Sequence, residues 1–427
     1  MSFSPEKLSL LSSWVKRQNS DAFVIVHKGK VIFEKYYKGR TRETKTDVFS
    51  ASKSVLSLLV GIALQNGKLQ LDDPVQKFTK HVGKPFSNSP QTEGLITVRH
   101  LLTMTSGLDD SMSYKAEPGR RWHYNLGTAW HLVKTVLENA YDDSLQSISD
   151  RTLFNPIGIF SATWKSRPAG TKVFDGIVMY LSVYWKDLLW KYGSSVWNLM
   201  LTMLSTIALS NRGASKSLRF LGAGATWGSY VAASSFLQLR RDYKNYSAPR
   251  KFFDKPTTSL HASALDCARI GMLVLNRGTW VNGKPIVDSS YIVDKCSRPS
   301  TALNPAYSFL FWINGQGFHV DPMQIFSEKE PERIGGFLIP SAPKDLVAAM
   351  GFGVQRIYIV PSKDLVVVRL GESPSSEAHA AGAPFDNQLW EKIMRLFFSA
   401  EVSDTPRALE GTEFVGIATE EGLSPRL

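Results

Sequence analysis

The residues best suited to chemistry in this sequence are Ser50 and Lys53, which form a Ser-x-x-Lys pair. Positions three apart on a helix are neighbours on one face, so Ser50 Oγ and Lys53 Nζ are expected to meet. A serine hydroxyl is a weak nucleophile without a base beside it, and a lysine can be that base when burial lowers its pKa. The pair therefore predicts nucleophilic catalysis. An ordinary amphipathic helix that holds a serine and a lysine by chance is the alternative.

The segment that must position this pair is residues 46–67. Its apolar side chains recur at helical spacing, at Val55, Leu58, Leu59 and Ile62. This periodicity predicts a helix with one apolar face. Asp47 is the predicted N-cap, and Asn66-Gly67 is the predicted stop. The free N–H groups at the start of such a helix suit an anionic intermediate.

Tyr124 is a second candidate for proton transfer. It lies shortly before Gly127, in a predicted tight loop that leads into a helix. A tyrosine near a lysine can act as a phenolate base or a proton shuttle. The alternative is a half-buried tyrosine whose hydroxyl is hydrogen-bonded. The sequence holds no Gly-x-Ser-x-Gly, His-Glu-x-x-His or P-loop motif, and its eight histidines are scattered, so neither a metal site nor a cofactor is predicted.

Composition and charge narrow the class of protein. The 427 residues are 43% hydrophobic, which is enough for a large core. The net charge of +12 is spread without a run of five Lys or Arg, so it indicates solubility and no nucleic-acid partner is predicted. Cys267 and Cys296 lack metal or redox spacing, which fits a reducing compartment. The first residues do not resemble a signal peptide, and a cytoplasmic location is expected.

Strand patterns occur near both ends of the chain, and helix patterns lie between them. A hairpin is predicted over 22–27 and 31–37, and an antiparallel meander over 307–315, 346–361 and 365–370. Helices are predicted over 6–18, 96–108, 260–278 and 387–398. One composite domain over 1–400 is expected, followed by a polar tail over 401–427.

Residues 174–210 form an apolar segment with no charge from 193 to 210. An apolar helical lid over the acyl side of the Ser50 cleft is the preferred interpretation, with peripheral membrane contact or a membrane span as alternatives. The following polar and aromatic residues 211–258 are predicted to line the substrate cleft. Trp227 is the candidate for substrate binding there.

Three motifs in one order carry a family resemblance. They are Ser50-x-x-Lys53, Pro118-Gly-x-x-Trp-x-Tyr124-Asn125, and a strand with Gly351 before Ile357-Tyr-Ile-Val-Pro361. The sequence resembles the serine β-lactamase-related family, which includes class C β-lactamases, D-alanyl-D-alanine peptidases, family VIII esterases and 6-aminohexanoate-dimer hydrolases. The resemblance covers roughly residues 20–400, except about 170–255.

The resemblance implies an α+β fold of the β-lactamase/transpeptidase type, in which an antiparallel sheet is flanked by helices. The α/β part would comprise about 1–66 and 260–400. A mainly helical part, about 67–259, would be inserted between the first and last strands and would carry the apolar insertion 174–210.

The resemblance also implies roles for individual residues. Ser50 would be the nucleophile that forms the acyl-enzyme, and Lys53 and Tyr124 would be its base and proton relay. The backbone N–H groups of Ser50 and Phe352 would form the oxyanion hole. Asn125 and Gly351 would contact the substrate.

Two departures from the family pattern bear on the substrate. Leu126 stands where the family's Tyr-x-Asn motif has asparagine, and Ala349-Met-Gly351 lacks the cation that binds a substrate carboxylate. We therefore expect a neutral carboxylic ester or small amide as substrate. The alternatives are a D-amino-acid peptidase or β-lactamase, an acyltransferase, and a non-catalytic membrane-associated scaffold. The oligomeric state is left open.

Overall fold

The computed structural model describes residues 3–79, 89–109, 112–125, 132–167, 257–320, 332–372, 374 and 384–398. The chain divides into two units, one of residues 1–169 and 255–427 and one of residues 170–254, and every described residue belongs to the first. The apolar segment 174–210, Trp227 and the tail 401–427 lie outside the described residues. The expectations for them stay predictions.

A six-stranded antiparallel sheet joins the two ends of the chain. Its strands, in spatial order, are β2 (Lys30–Tyr36), β1 (Ser20–His27), β11 (Leu365–Gly371), β10 (Gln355–Val360), β9 (Val347–Gly351) and β6 (Trp312–Ile313). Strands β9, β10 and β11 are buried along their whole length. Burial on both faces explains why their sequences are nearly continuous apolar runs. The predicted N-terminal hairpin and C-terminal antiparallel strands are confirmed.

The predicted strand run 346–361 is interrupted by a short 3-10 turn at Phe352–Val354. Gly353 has φ +72° there, which glycine adopts readily. Val354 has φ +63°, which is rare for a β-branched residue. The turn divides the run into β9 and β10. The predicted run 307–315 likewise contributes only the short strand β6.

Helices flank this sheet. They are α1 (Pro5–Arg17), α2 (Ser52–Gln65), α3 (Gln76–Thr79), α4 (Val98–Leu102), α5 (Lys134–Tyr141), α6 (Leu145–Ser149), α7 (Ala264–Leu275) and α8 (Pro384–Ile393). Helix α7 packs closely on the sheet because Gly271 has no side chain. A Cβ atom there would lie 2.6 Å from a methyl carbon of Val366. No described helix is long and apolar enough to cross a membrane.

Two predicted helices begin or end elsewhere than expected. The helix predicted from residue 260 begins at Ala264, because Ser263 Oγ accepts from Asp266 N at 3.1 Å and caps it. The preceding residues form β5 (Thr257–Ala262), which lies between β3 (Thr46–Asp47) and β4 (Thr163–Arg167) in a second sheet. Strand pairing therefore overrides the apolar periodicity at the start of that segment.

The helix predicted over 96–108 is the short α4, which ends at Leu102. Met104 has φ +58°, outside the helical region. The carbonyl of Gly107 then accepts from Lys115 N at 2.8 Å, so the chain turns back on itself instead of continuing as a helix. A third small sheet pairs β7 (Phe318–Val320) with β8 (Arg333–Gly335).

Candidate active site

Ser50 lies in a one-turn 3-10 helix, Phe49–Ala51, directly before α2. Asp47 does not cap α2 as predicted. Its Oδ1 accepts from Phe49 N at 2.8 Å and from Ser259 Oγ at 2.7 Å, so it fixes the turn that precedes the helix. Phe49 has φ +50°, and such strained conformations persist only where the surroundings enforce them. The nucleophile candidate therefore sits on a tightly restrained turn.

Lys53 and Ser50 meet as their spacing predicts. Lys53 Nζ donates to Ser50 Oγ at 2.8 Å. The lysine is 1% exposed, whereas the serine is only half-buried. This arrangement leaves the serine hydroxyl within reach of a substrate and shields the candidate base from water.

The other serines of α2 anchor the helix to separate parts of the fold. Ser52 Oγ accepts from Leu260 N at 2.9 Å, and Ser54 Oγ donates to Leu310 O at 2.6 Å. Ser57 Oγ lies 3.0 Å from the hydroxyl of Tyr291. Because Ser52–Ala63 is buried throughout, each of these hydroxyls needs a partner. These bonds fix the helix that carries Lys53.

Tyr124 is brought to Lys53 by the tertiary structure. Lys53 Nζ lies 5.0 Å from the centre of the Tyr124 ring, within range of a cation–π contact. Tyr124 is 7% exposed. The structure thus gathers all three predicted catalytic residues, Ser50, Lys53 and Tyr124, in one place. Their catalytic roles stay predictions.

Tyr307, Trp312 and Trp122 surround Tyr124, and sequence reasoning did not assign them to the site. The Tyr124 and Tyr307 rings are 5.9 Å apart, and those of Tyr307 and Trp312 are 4.7 Å apart. Burial, and then the nearby Tyr124, raises the pKa of Tyr307 well above its ordinary value. Tyr307 therefore stays neutral at physiological pH. The only signal in the sequence was the aromatic content of a run that resembled a strand.

Asn125, a predicted substrate-binding residue, is engaged by the protein. Its Nδ2 donates to Leu108 O at 2.9 Å and also to Asp109 O. The amide therefore ties the segment that carries Tyr124 to the loop after α4. A contact between Asn125 and substrate stays a prediction.

Gly351 lies against the Ser50 turn. A Cβ atom on it would lie 2.1 Å from Val48 O and 3.2 Å from Ala51 N, so only glycine fits. The next residue, Phe352, has its ring centre 5.5 Å from that of Phe49. The end of β9 therefore runs beside the nucleophile turn, where an oxyanion donor would have to lie.

Two buried arginines, Arg356 and Arg369, lie behind this end of β9, and both are 0% exposed. Burial alone would lower the pKa of Arg356, but Asp386 and Tyr358 raise it above its ordinary value. Burial, and then the neighbouring Arg356, lowers the pKa of Arg369 to about 10, so it stays charged at neutral pH. Sequence reasoning missed both arginines because their sequence context is that of a core strand.

A metal centre is not found in the part of the chain that the structure describes. No group of three or more His, Cys, Asp or Glu is arranged there to hold an ion. Cys267 and Cys296 are both buried free thiols.

Solved structures of other proteins share the fold of this chain. A candidate β-lactamase from Bacteroides dorei is 13% identical with a TM-score of 0.55, and the match covers 92% of this chain and 98% of that one. A family VIII carboxylesterase is 14% identical with a TM-score of 0.53, again over 92% and 98%. At these identities the likeness shows the fold alone. The predicted α+β, β-lactamase/transpeptidase-like fold is confirmed.

The chain belongs to the Beta-lactamase family, whose model matches residues 15–388. An uncharacterized protein of Alkalihalophilus pseudofirmus is 27% identical over 139 residues, which are 30% of this chain. The match spans 39% of that relative. The family resemblance inferred from the sequence motifs is therefore confirmed, and membership of the family supports a hydrolase.

Proposed function

We propose that this protein is a serine hydrolase that cleaves a carboxylic ester or a small amide through an acyl-enzyme on Ser50. The observation that carries this proposal is the 2.8 Å contact between Lys53 Nζ and Ser50 Oγ. A half-buried hydroxyl beside a fully buried lysine is the arrangement that an activated serine needs. Burial favours the neutral form of a lysine, which is the form that accepts a proton.

The reaction follows from this geometry. Neutral Lys53 takes the proton of Ser50 Oγ as the oxygen attacks the substrate carbonyl carbon. The carbonyl oxygen becomes an oxyanion, for which the backbone N–H groups of Ser50 and Phe352 are the proposed donors. The ammonium of Lys53, with Tyr124 as relay, returns the proton to the leaving alcohol or amine. Water then repeats the sequence on the acyl-enzyme and releases the acid.

The strand beside the nucleophile supports a neutral substrate. In β9 the residues Ala349, Met350 and Gly351 are buried and none carries a charge. A substrate carboxylate is bound most strongly by a cation that forms charge-assisted hydrogen bonds. We therefore propose that the substrate is a small neutral ester or amide, and that the protein has no nucleic-acid partner.

Hydrolysis of p-nitrophenyl acetate and butyrate tests the proposal. Ser50→Ala should abolish turnover, and Ser13→Ala, which changes an exposed serine of α1, should keep it. Mass spectrometry after treatment with a fluorophosphonate should locate the adduct on Ser50. Full activity of Ser50→Ala would overturn the mechanism.

A nitrocefin assay beside a panel of esters and amides tests the substrate class. We expect ester cleavage with little or no nitrocefin turnover. Rapid nitrocefin hydrolysis without ester cleavage would instead favour a β-lactamase. Adding an alcohol or amine acceptor to the same assay distinguishes acyl transfer from hydrolysis, because transfer yields a new ester or amide in place of free acid.

A further inference from the structure

The guanidinium of Arg356 holds both ends of the turn at Phe352–Val354. Its Nη1 donates to Gly351 O at 2.8 Å and to Gln355 O at 3.2 Å. Gly351 and Gln355 face each other across the β9–β10 hairpin and so bound the turn. The remaining nitrogens of Arg356 donate to Asp386, with Nε 2.8 Å from Oδ1 and Nη2 3.1 Å from Oδ2. A bidentate pair of this kind fixes the plane of the guanidinium.

This contact determines which way the N–H of Phe352 points. The C=O of Gly351 and the N–H of Phe352 belong to one planar trans peptide and point in opposite directions. Because the carbonyl is directed at Arg356, the N–H is directed away from the buried arginine. Gly351 lies against Val48 O of the nucleophile turn, so the Ser50 turn borders this peptide.

The turn needs such a restraint because part of it is strained. Val354 is fully buried and has φ +63°, a conformation that β-branched residues rarely adopt. Arg369 supports this middle part, since its Nη1 donates to Gly353 O at 2.9 Å and to Val354 O at 3.1 Å. The two arginines are opposite each other on β10 and β11. Together the two arginines donate to four carbonyl groups in and beside this turn, those of Gly351, Gly353, Val354 and Gln355.

We propose that Arg356, anchored by Asp386, is a positioning residue that orients the Phe352 N–H as an oxyanion donor. This role rests on the proposed function, because it presupposes an oxyanion formed at Ser50. Donors that stabilise an oxyanion are effective only when they are oriented before the charge develops. Arg356 therefore acts on the reaction through the peptide of Gly351 and Phe352, without touching the substrate.

Arg356→Lys is the principal test. A single ammonium cannot replace a planar guanidinium that serves a carboxylate and two carbonyl groups at once. We expect kcat for p-nitrophenyl butyrate to fall by about 10- to 100-fold, approaching the loss of an oxyanion donor, while KM changes less than about threefold. Tyr358→Phe is the matched control, since the Tyr358 hydroxyl donates to the same Asp386 oxygen. Its kcat should stay within about twofold of wild type.

Inhibition by phenylboronic acid gives a second readout, because its tetrahedral serine adduct places an oxygen where the oxyanion would form. In Arg356→Lys the inhibition constant should rise by the same factor as kcat/KM falls. Asp386→Asn, which keeps the shape of the side chain and removes its charge, should show the same pattern. If Arg356→Lys does not fold, Asp386→Asn provides the test of the role of Arg356.

Three results would overturn this role. The first is a folded Arg356→Lys or Asp386→Asn with wild-type kcat. The second is an equal loss of kcat in Tyr358→Phe. The third is a loss of kcat without any change in boronate inhibition. If the wild-type chain neither turns over esters nor forms a Ser50 adduct, the proposed function itself fails. If Ser50 is labelled normally but the Arg356 variants have wild-type kcat, only the role of Arg356 fails.

Discussion

Two buried centres with basic side chains lie on either side of the chain around Gly351, and they differ in which basic residue they hold. At the nucleophile turn, Lys53 Nζ donates to the hydroxyl of Ser50 and lies over the ring of Tyr124. The second centre, the arginine centre, consists of Arg356 and Arg369. Arg356 is paired with Asp386, and both arginines donate to backbone carbonyl groups. The basic residues of the two centres, Lys53, Arg356 and Arg369, are each at most 1% exposed.

The difference teaches how each centre is used. A lysine loses its proton readily when buried, whereas an arginine stays charged and offers a rigid fork of donors. In the proposed mechanism, lysine thus stands where a proton has to move, and arginine where the backbone has to be held. The first centre is expected to serve reactivity at little benefit to stability, and the second to serve stability and geometry.

The largest expected effect is the loss of activity when the lysine is replaced. Lys53→Met should lower kcat/KM for p-nitrophenyl butyrate by about 10³-fold, because the base is removed. The free energy of unfolding in urea should change by less than about 1 kcal/mol, because a buried amine is replaced by an apolar side chain of similar size. Lys53→Arg should be equally inactive, since arginine does not release its proton. An active Lys53→Arg variant would contradict the role of Lys53 as base.

Replacing Arg369, unlike replacing Lys53, should lower the free energy of unfolding substantially. Arg369→Met should lower the free energy of unfolding by about 3 kcal/mol, because it leaves the buried acceptors Gly353 O, Val354 O and Ser20 Oγ without their donor. Urea denaturation measures this change. Lys35→Met removes the same charge from an exposed position and is the control. If Arg369→Met is as stable as Lys35→Met, the arginine centre does not contribute to stability as described.

The contact between the two centres can be tested at Gly351. Gly351→Ala should lower the free energy of unfolding by about 2 kcal/mol, because the new methyl group would overlap Val48 O. Thermal unfolding measures it, and Gly335→Ala is the matched control, because Gly335 also ends a strand and nothing lies within 4 Å of a Cβ atom there. A Gly351→Ala variant no less stable than Gly335→Ala would show that the strand end and the Ser50 turn have room to separate.

The smallest expected effect is a loss of stability at alkaline pH. It comes from the buried thiol of Cys296, which lies behind α2. Burial raises the pKa of Cys296 to about 12, although its contact with Ser57 lowers it slightly. The thiol ionises near pH 9 in the unfolded chain, so its contribution to stability is complete below pH 9 and is lost as the pH rises towards 12. At pH 10 this loss is roughly 1 kcal/mol relative to pH 7.

Urea denaturation of wild type and Cys296→Ala at both pH values isolates this term, because other titrating groups are common to the two proteins. The variant should lose roughly 1 kcal/mol less between pH 7 and pH 10. Identical losses in the two proteins would show that the thiol is not shielded as the structure indicates.

The sequence by itself determined the features that depend on local spacing. Ser50 and Lys53 are three positions apart, and helical geometry brings positions three apart to one face, so their contact was predictable. The alternation and apolar runs of the strands predicted the sheet, and the motifs around Ser50, Tyr124 and Gly351 predicted the family.

Only the tertiary structure decided the features that join distant parts of the chain. The Tyr124 ring reaches Lys53 across a separation of 71 positions, and Arg356 meets Asp386 across a separation of 30. The break at Phe352–Val354 was also hidden, because an apolar run has the same pattern whether or not it turns. Such contacts are set by how helices and strands pack, and no local periodicity encodes which buried donor will face which carbonyl.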